Sequence, residues 1–231
     1  MTKIDIQTTD GSYGGYLALP EGQSGPGVIV IQEIFGVNAN IRAIADWLAE
    51  HGYVALCPDL FWRIEPNVDL TDQTEAEWEK AFELMNKFDA DLGAKDIQAA
   101  INHLRTLPNC TGKVGVIGYC LGGKMAYLSA TRTDSDASIG YYGVGIQDML
   151  DEADNISAPL MLHVAGKDQF VPPEAQTAIE GGLGGHSKVT IHIYPDDDHA
   201  FAREGGEHYS ARSASTANQR TLDLLNSGLH D

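Results

Sequence analysis

Three residues far apart in the chain carry side chains that could work as nucleophile, orienting acid and base: Cys120, Asp168 and His199. Cys120 lies in "GYCLGG", a G-x-C-x-G pattern running from Gly118 to Gly122. The apolar run "KVGVI" precedes it and the helical pattern "GGKMAYLSAT" follows. This is the nucleophile-elbow pattern with cysteine in place of serine. A strand-to-helix reversal this sharp strains the central backbone and crowds its neighbours, so the positions two before and two after need no Cβ. The turn lifts the side chain above the sheet. The amide of Leu121 then opens the following helix and can face a developing oxyanion, while the same helix terminus favours a thiolate. The plainer reading is a buried cysteine in an ordinary strand-helix turn. The placement between an apolar strand and a helix favours the nucleophile.

A thiol so placed needs a base and an orienter, and elbow nucleophiles are followed in the chain first by the acid and then by the histidine. Asp168, in "GKDQFVPP", follows the apolar run "APLMLHVAG"; His199, in "DDDHAFAR", follows "KVTIHIYP". All three residues therefore fall at carboxyl ends of predicted strands. His163 and His192 lie inside strands, His51 ends a helix and His186 sits in a Gly-rich loop. The run Asp196, Asp197, Asp198 reads by default as a solvated loop, with room for one of them to hydrogen-bond nearby.

The elements that must position these residues can be read from periodicity. Predicted strands are "KIDIQT", "GYLALP", "GVIVIQE", "YVALCPDL", "KVGVIGY", "SIGYYGV", "APLMLHVAG" and "KVTIHIYP". The middle ones are continuously apolar, as parallel strands covered on both faces are. The first two alternate and suggest an antiparallel opening at one edge. Between them, "NANIRAIADWLAEHG" has an apolar face, with Asn38 as N-cap and Gly52 as stop. "TEAEWEKAFELMNKFD", "DLGAKDIQAAINHLRTL", "PPEAQTAIEGGL" and "SARSASTANQRTLDLLNSG" repeat that pattern. This alternation predicts an α/β fold with a mostly parallel, doubly wound sheet of about eight strands and helices on both faces. At 231 residues and 43% hydrophobic, one domain spanning 1–231 is expected.

The net charge of -18 argues against nucleic acid, whose phosphates are held by clustered Lys and Arg. Three cysteines, Cys57, Cys110 and Cys120, with no C-x-x-C pair, argue against a disulfide framework or a structural zinc site. Cys57 reads as buried and Cys110 as an incidental thiol in the polar turn "PNCTGK". No apolar run approaches the ~18 residues of a membrane span. The N-terminus alternates like a strand and lacks the apolar core of a signal peptide, so a cytoplasmic protein is expected.

Glu33, in "IQEIFG", is a charge at the end of a buried strand. It could be a paired structural carboxylate or a functional one. Here a resemblance helps. "VIVIQEIFGVN", "GYCLGGKMAY", "GYYGVG", "GKDQFVP" and "HAFAR", in this order, resemble the dienelactone hydrolase (carboxymethylenebutenolidase) family of α/β-hydrolases over nearly the whole chain. The resemblance implies a Cys-His-Asp triad of Cys120, His199 and Asp168. It implies opening of the lactone ring of dienelactone, a small planar anion, to maleylacetate, with no cofactor; a monomer is expected. It also implies that Glu33 takes the proton of the resting thiol when substrate binds. The amides of Ile34 and Leu121 would form the oxyanion hole, Arg203 would grip the substrate carboxylate, and Tyr141 and Phe170 would stand near the substrate. One departure is visible. The family's second arginine, in the helix before the elbow, falls here on Trp78, and no arginine occurs between Arg63 and Arg105. Trp78 is then either a pocket wall or a packed helix residue. The departure leaves room for a broader carboxylesterase or thioesterase. A non-enzymatic alternative is a redox sensor using an exposed, oxidisable Cys120.

Overall fold

The computed structural model describes residues 2–22 and 24–230. Its strands follow the hydrogen-bonded order β1-β2-β4-β3-β5-β6-β7-β8. The chain packs as two compact units, Met1–Val116 and Ile117–Asp231.

The first unit opens with the hairpin β1 (Thr2–Thr8) and β2 (Gly11–Ala18), antiparallel with Thr8 opposite Gly11. β2 also runs antiparallel to β4 (Val54–Pro58), which is parallel to β3 (Gly25–Ile31). The antiparallel opening is thus as expected. β2 begins four residues before "GYLALP" because cross-strand pairing outweighs the turn-like character of its glycines. Every residue of β3 and β4 is buried, the state of strands covered on both faces. Helices α1 (Ala39–Glu50), α2 (Glu75–Lys87) and α3 (Ala90–Thr106) follow the predicted periods. Asn38 caps α1, its side-chain oxygen accepting from the Ile41 amide at 3.1 Å. Buried Asp96 of α3 accepts from Trp62 Nε1 at 2.8 Å and from two guanidinium nitrogens of Arg63 at 2.8 and 2.9 Å, so this carboxylate is paired.

β5 (Cys110–Tyr119) begins in the first unit. Cys110 therefore opens a strand instead of lying in a turn, because pairing extends β5 through the polar "CTGK". Cys57 is fully buried, and burial pushes its thiol well above the ordinary range.

The second unit continues from the end of β5 into α4 (Leu121–Arg132), then β6 (Ala137–Tyr141), β7 (Leu160–Ala165), α5 (Pro173–Leu183), β8 (Val189–Tyr194) and α6 (Ala211–Leu229). β6, β7 and β8 are parallel, with Leu160 opposite both Ser138 and Val189. β6 stops at Tyr141, short of the predicted "SIGYYGV", because Tyr142 turns the backbone to φ 38°. A 3-10 stretch, Ile146–Asn155, also fell outside the sequence reading. It is held from α4: Tyr127 OH donates to Met149 O at 2.8 Å, and Arg132 Nε donates to Glu152 at 2.8 Å. Among the described residues, no helix is long and apolar enough to cross a membrane.

Candidate active site

The second unit gathers the three chemical residues, beginning at the elbow. Cys120 separates β5 from α4 with φ 56° and ψ -113°, a region that side-chain-bearing residues rarely adopt. Its surroundings fix that conformation. The Cys120 amide donates to Tyr141 O at 3.0 Å, and its carbonyl accepts from Gly123 N at 2.9 Å and Val144 N at 3.4 Å. A Cβ on Gly118 would lie 1.8 Å from the carbonyl oxygen of Gly122, so glycine at position 118 is a steric requirement. A Cβ on Gly123 would come within 2.5 Å of Tyr141 O, which is how closely α4 packs on the end of β6. Leu121 is the first residue of α4, and its amide belongs to the helix-opening set without intrahelical acceptors.

Asp168 and His199 come from the loops after β7 and β8. Those loops are tied together: Gly166 N donates to Tyr194 O at 2.8 Å and Lys167 N to Asp197 O at 2.9 Å. Asp168 is 3% exposed, and its Oδ2 accepts from His199 Nδ1 at 2.8 Å. This bond leaves Nε2 as the ring nitrogen for Cys120, whose sulfur is also hydrogen-bonded to the imidazole. Burial disfavours the charged ring. The negative sulfur of Cys120 and the hydrogen bonds and charge of Asp168 together outweigh it, and His199 is pushed up to about 10. The imidazole thus stands between the Cys120 sulfur and a buried carboxylate, the order that a nucleophile, a base and an orienting acid require.

Two further features surround the pair. The Asp run is more than a solvated surface: Asp198 Oδ1 accepts from the His199 amide at 2.7 Å, and Asp197 accepts from Ser213 Oγ at 2.5 Å near the start of α6. Asp196 faces solvent beside Lys167. Two aromatic rings also pack on His199, Phe170 at 4.8 Å and Tyr142 at 5.1 Å between centroids. The Tyr142 signal was present as the second Tyr of "GYYGVG". Its left-handed turn is a tertiary effect that strand periodicity does not report.

The remaining predicted residues fall as follows. Phe170 touches both Asp168, through its amide, and His199, through its ring. Tyr141 is fully buried, stacked on Tyr119, with its hydroxyl on Thr221 and Asn218. Of the tyrosine pair, it is Tyr142 that packs on the His199 imidazole. Arg203 is half-buried in the turn after His199, its amide donating to Ala200 O at 2.9 Å. His163 lies in the core, His192 on half-buried β8, His51 at the end of α1 and His186 in a loop, as read. In the first unit, Glu33 and Ile34 are buried just past β3. The segment after them is clasped by residues 68–70, with Leu70 N donating to Phe35 O at 2.9 Å and Gly36 paired with Asp69. Trp78 of α2 is half-buried; its Nε1 donates to Asp72 O at 3.0 Å and its ring meets Phe35 edge-on at 5.0 Å.

Known proteins share this sequence and fold. The sequence model of the "Dienelactone hydrolase family" matches residues 13–229. The "Putative carboxymethylenebutenolidase" of Azospirillum brasilense is 45% identical over 226 residues, covering 96% of each chain. The "Carboxymethylenebutenolidase" of Pseudomonas putida is 40% identical over 223 residues, covering 96% of this chain and 94% of that protein. A crystal structure, "Putative Dienelactone Hydrolase from Klebsiella pneumoniae subsp. pneumoniae MGH 78578", superposes with a TM-score of 0.83 at 26% identity, covering 96% of each chain. With the family's match spanning almost its whole length, the chain belongs to the dienelactone hydrolase family and is a hydrolase acting on ester bonds.

Proposed function

We propose that this enzyme opens the lactone ring of dienelactone to maleylacetate through an acyl-enzyme on Cys120. The observation that carries the proposal is the hydrogen-bonded series Cys120, His199, Asp168 at the carboxyl ends of β5, β8 and β7. The names of the relatives support the substrate class.

The Cys120 thiolate adds to the lactone carbonyl, and the developing oxyanion meets the amide of Leu121. Collapse breaks the ring C–O bond, leaving a thioester and an enolate. The His199 imidazolium gives its proton to the enolate, which ends as the ketone. Neutral His199, held by Asp168, next takes a proton from water as the oxygen attacks the thioester. The thiolate leaves, the new acid loses its proton to solvent, and the thiolate–imidazolium pair is restored. An enolate is a good leaving group, so a thiol suffices as nucleophile.

The proposal extends the family roles to the Ile34 amide as second oxyanion donor and to Arg203 as the carboxylate clamp; Glu33 is the alternative acceptor of the thiol proton, in place of His199, where Cys120 rests as a neutral thiol. It takes the chain as one working domain, 1–231, acting as a cytoplasmic monomer without cofactor. Mass spectrometry of rapidly quenched turnover tests it. The expected species is a ring-opened acyl adduct on Cys120 that decays to maleylacetate. Sulfenate with no thioester would instead support the sensor reading.

Trp78 favours a second reading, a broader carboxylesterase or thioesterase. Its indole is committed to Asp72 O and Phe35, so this part of α2 presents an aromatic ring and no guanidinium. Equal specificity constants for dienelactone and p-nitrophenyl acetate would select it.

A further inference from the structure

Phe170 is 38% exposed, yet it sits on a fixed loop. Its amide donates to Asp168 Oδ1 at 2.8 Å, closing an Asx-turn over Asp168, Gln169 and Phe170. The next residue, Val171, is buried, and its carbonyl accepts from Gln176 Nε2 at 2.8 Å. Pro172 and Pro173 then start α5 with a preset backbone. The exposed ring is thus held at both ends of its loop.

What the ring touches is the base. Phe170 and His199 meet with centroids 4.8 Å apart and planes at 70°. Tyr142 meets the same imidazole at 5.1 Å and 61°. Tyr142 is itself fixed, by its amide on His163 O at 2.7 Å and by Phe201 at 5.5 Å. Both carboxylate oxygens of Asp168 are therefore engaged by His199 and Phe170, and the two partners also touch each other.

We propose that Phe170 is a positioning residue for the base: its amide orients Asp168, and its ring orients His199 and keeps water from the bond between them. The inference rests on the triad proposed above. Excluding water strengthens a charge-assisted hydrogen bond and preserves the geometry on which proton transfer depends. A ring that only lined the substrate pocket would leave the acid–base pair of the free enzyme unaffected by its removal.

The test uses Phe170→Ala and Phe170→Leu in the full chain, with p-nitrophenyl acetate as substrate. Two readouts are compared: the split between kcat and KM, and the solvent exchange of the His199 Nδ1 proton, read in the free enzyme as its low-field proton resonance. Asp168→Asn assigns that resonance by removing it. For Phe170→Ala, kcat should fall about tenfold or more with KM within about twofold, and Nδ1 exchange should accelerate by about tenfold. Phe170→Leu, which restores bulk, should recover most of both. A raised KM with unchanged exchange would overturn the proposal and make Phe170 a pocket wall. Absence of the low-field resonance from the wild-type enzyme would count first against the triad itself, and the positioning role would fall with it.

Discussion

Asp168 accepts the Nδ1 proton of His199 at 2.8 Å while both side chains are almost completely buried. The carboxylate thereby selects the tautomer that turns Nε2 toward Cys120. Asp168→Asn keeps an oxygen for the Phe170 amide but loses the charge. It should lower kcat on the order of a thousandfold with little loss of fold. His199, now about 10, should titrate at lower pH, because the hydrogen bond and charge of Asp168 both raise it. Steady-state kinetics and the pH dependence of the His199 ring resonances check this.

The elbow makes a steric prediction. A Cβ at position 118 would stand 1.8 Å from Gly122 O, which is backbone and cannot swing aside. Gly118→Ala should therefore cost about 3 kcal/mol of stability or more, at the upper end of overpacking effects. Urea denaturation should show a lower midpoint.

Buried His163 makes a prediction about acid. Arg220 donates to Tyr194 Oη at 3.2 Å, and the same oxygen is hydrogen-bonded to His163 Nδ1 at 2.9 Å. His163 Nε2 then donates to Thr221 Oγ1 at 3.2 Å, Thr221 to Tyr141 Oη at 2.7 Å, and Tyr141 to Asn218 Oδ1 at 3.0 Å. Burial, then the nearby charges of His192 and Arg220, hold His163 well below the ordinary histidine range. The unfolded chain takes up this proton below about pH 6.5, whereas the folded protein does not until lower pH. Its contribution is therefore complete above about pH 6.5 and is lost at about 1.4 kcal/mol per pH unit as pH falls toward the folded value. The stability gap between wild type and His163→Phe should narrow by more than about 1 kcal/mol between pH 7 and pH 5. Urea titrations at the two pH values measure it.

The proposed clamp at Arg203 predicts a separation of substrates by charge. Loss of a charge-assisted pair through Arg203→Met should raise KM for the carboxylate-bearing lactone by about ten- to a hundredfold. KM for neutral p-nitrophenyl acetate should stay within about twofold. Equal effects on the two substrates would remove Arg203 from carboxylate binding.

The sequence makes the grouping of Cys120, Asp168 and His199 legible because each is tied to a local pattern. Gly118 and Gly122 mark the bend, and the apolar runs ending before Asp168 and His199 mark strand ends. Continuous runs such as "GVIVI" likewise reveal buried parallel strands through composition alone. Residues shaped by tertiary contact are less visible. Tyr142 follows Tyr141 in an apolar run, and only the left-handed turn at φ 38° takes it out of β6 and onto His199. The acidic stretch 146–155 does space Ile146, Met149, Leu150 and Ala153 as one helical face, but it is short and is held by bonds from Tyr127 and Arg132. Cys110 lies among polar residues and becomes part of β5 only by pairing.

The most direct measurement is the turnover of Cys120→Ala, compared with wild type on dienelactone, with circular dichroism confirming the fold. A loss on the order of a thousandfold or more in kcat is the predicted result. Ring opening at the wild-type rate by the folded variant would contradict the account.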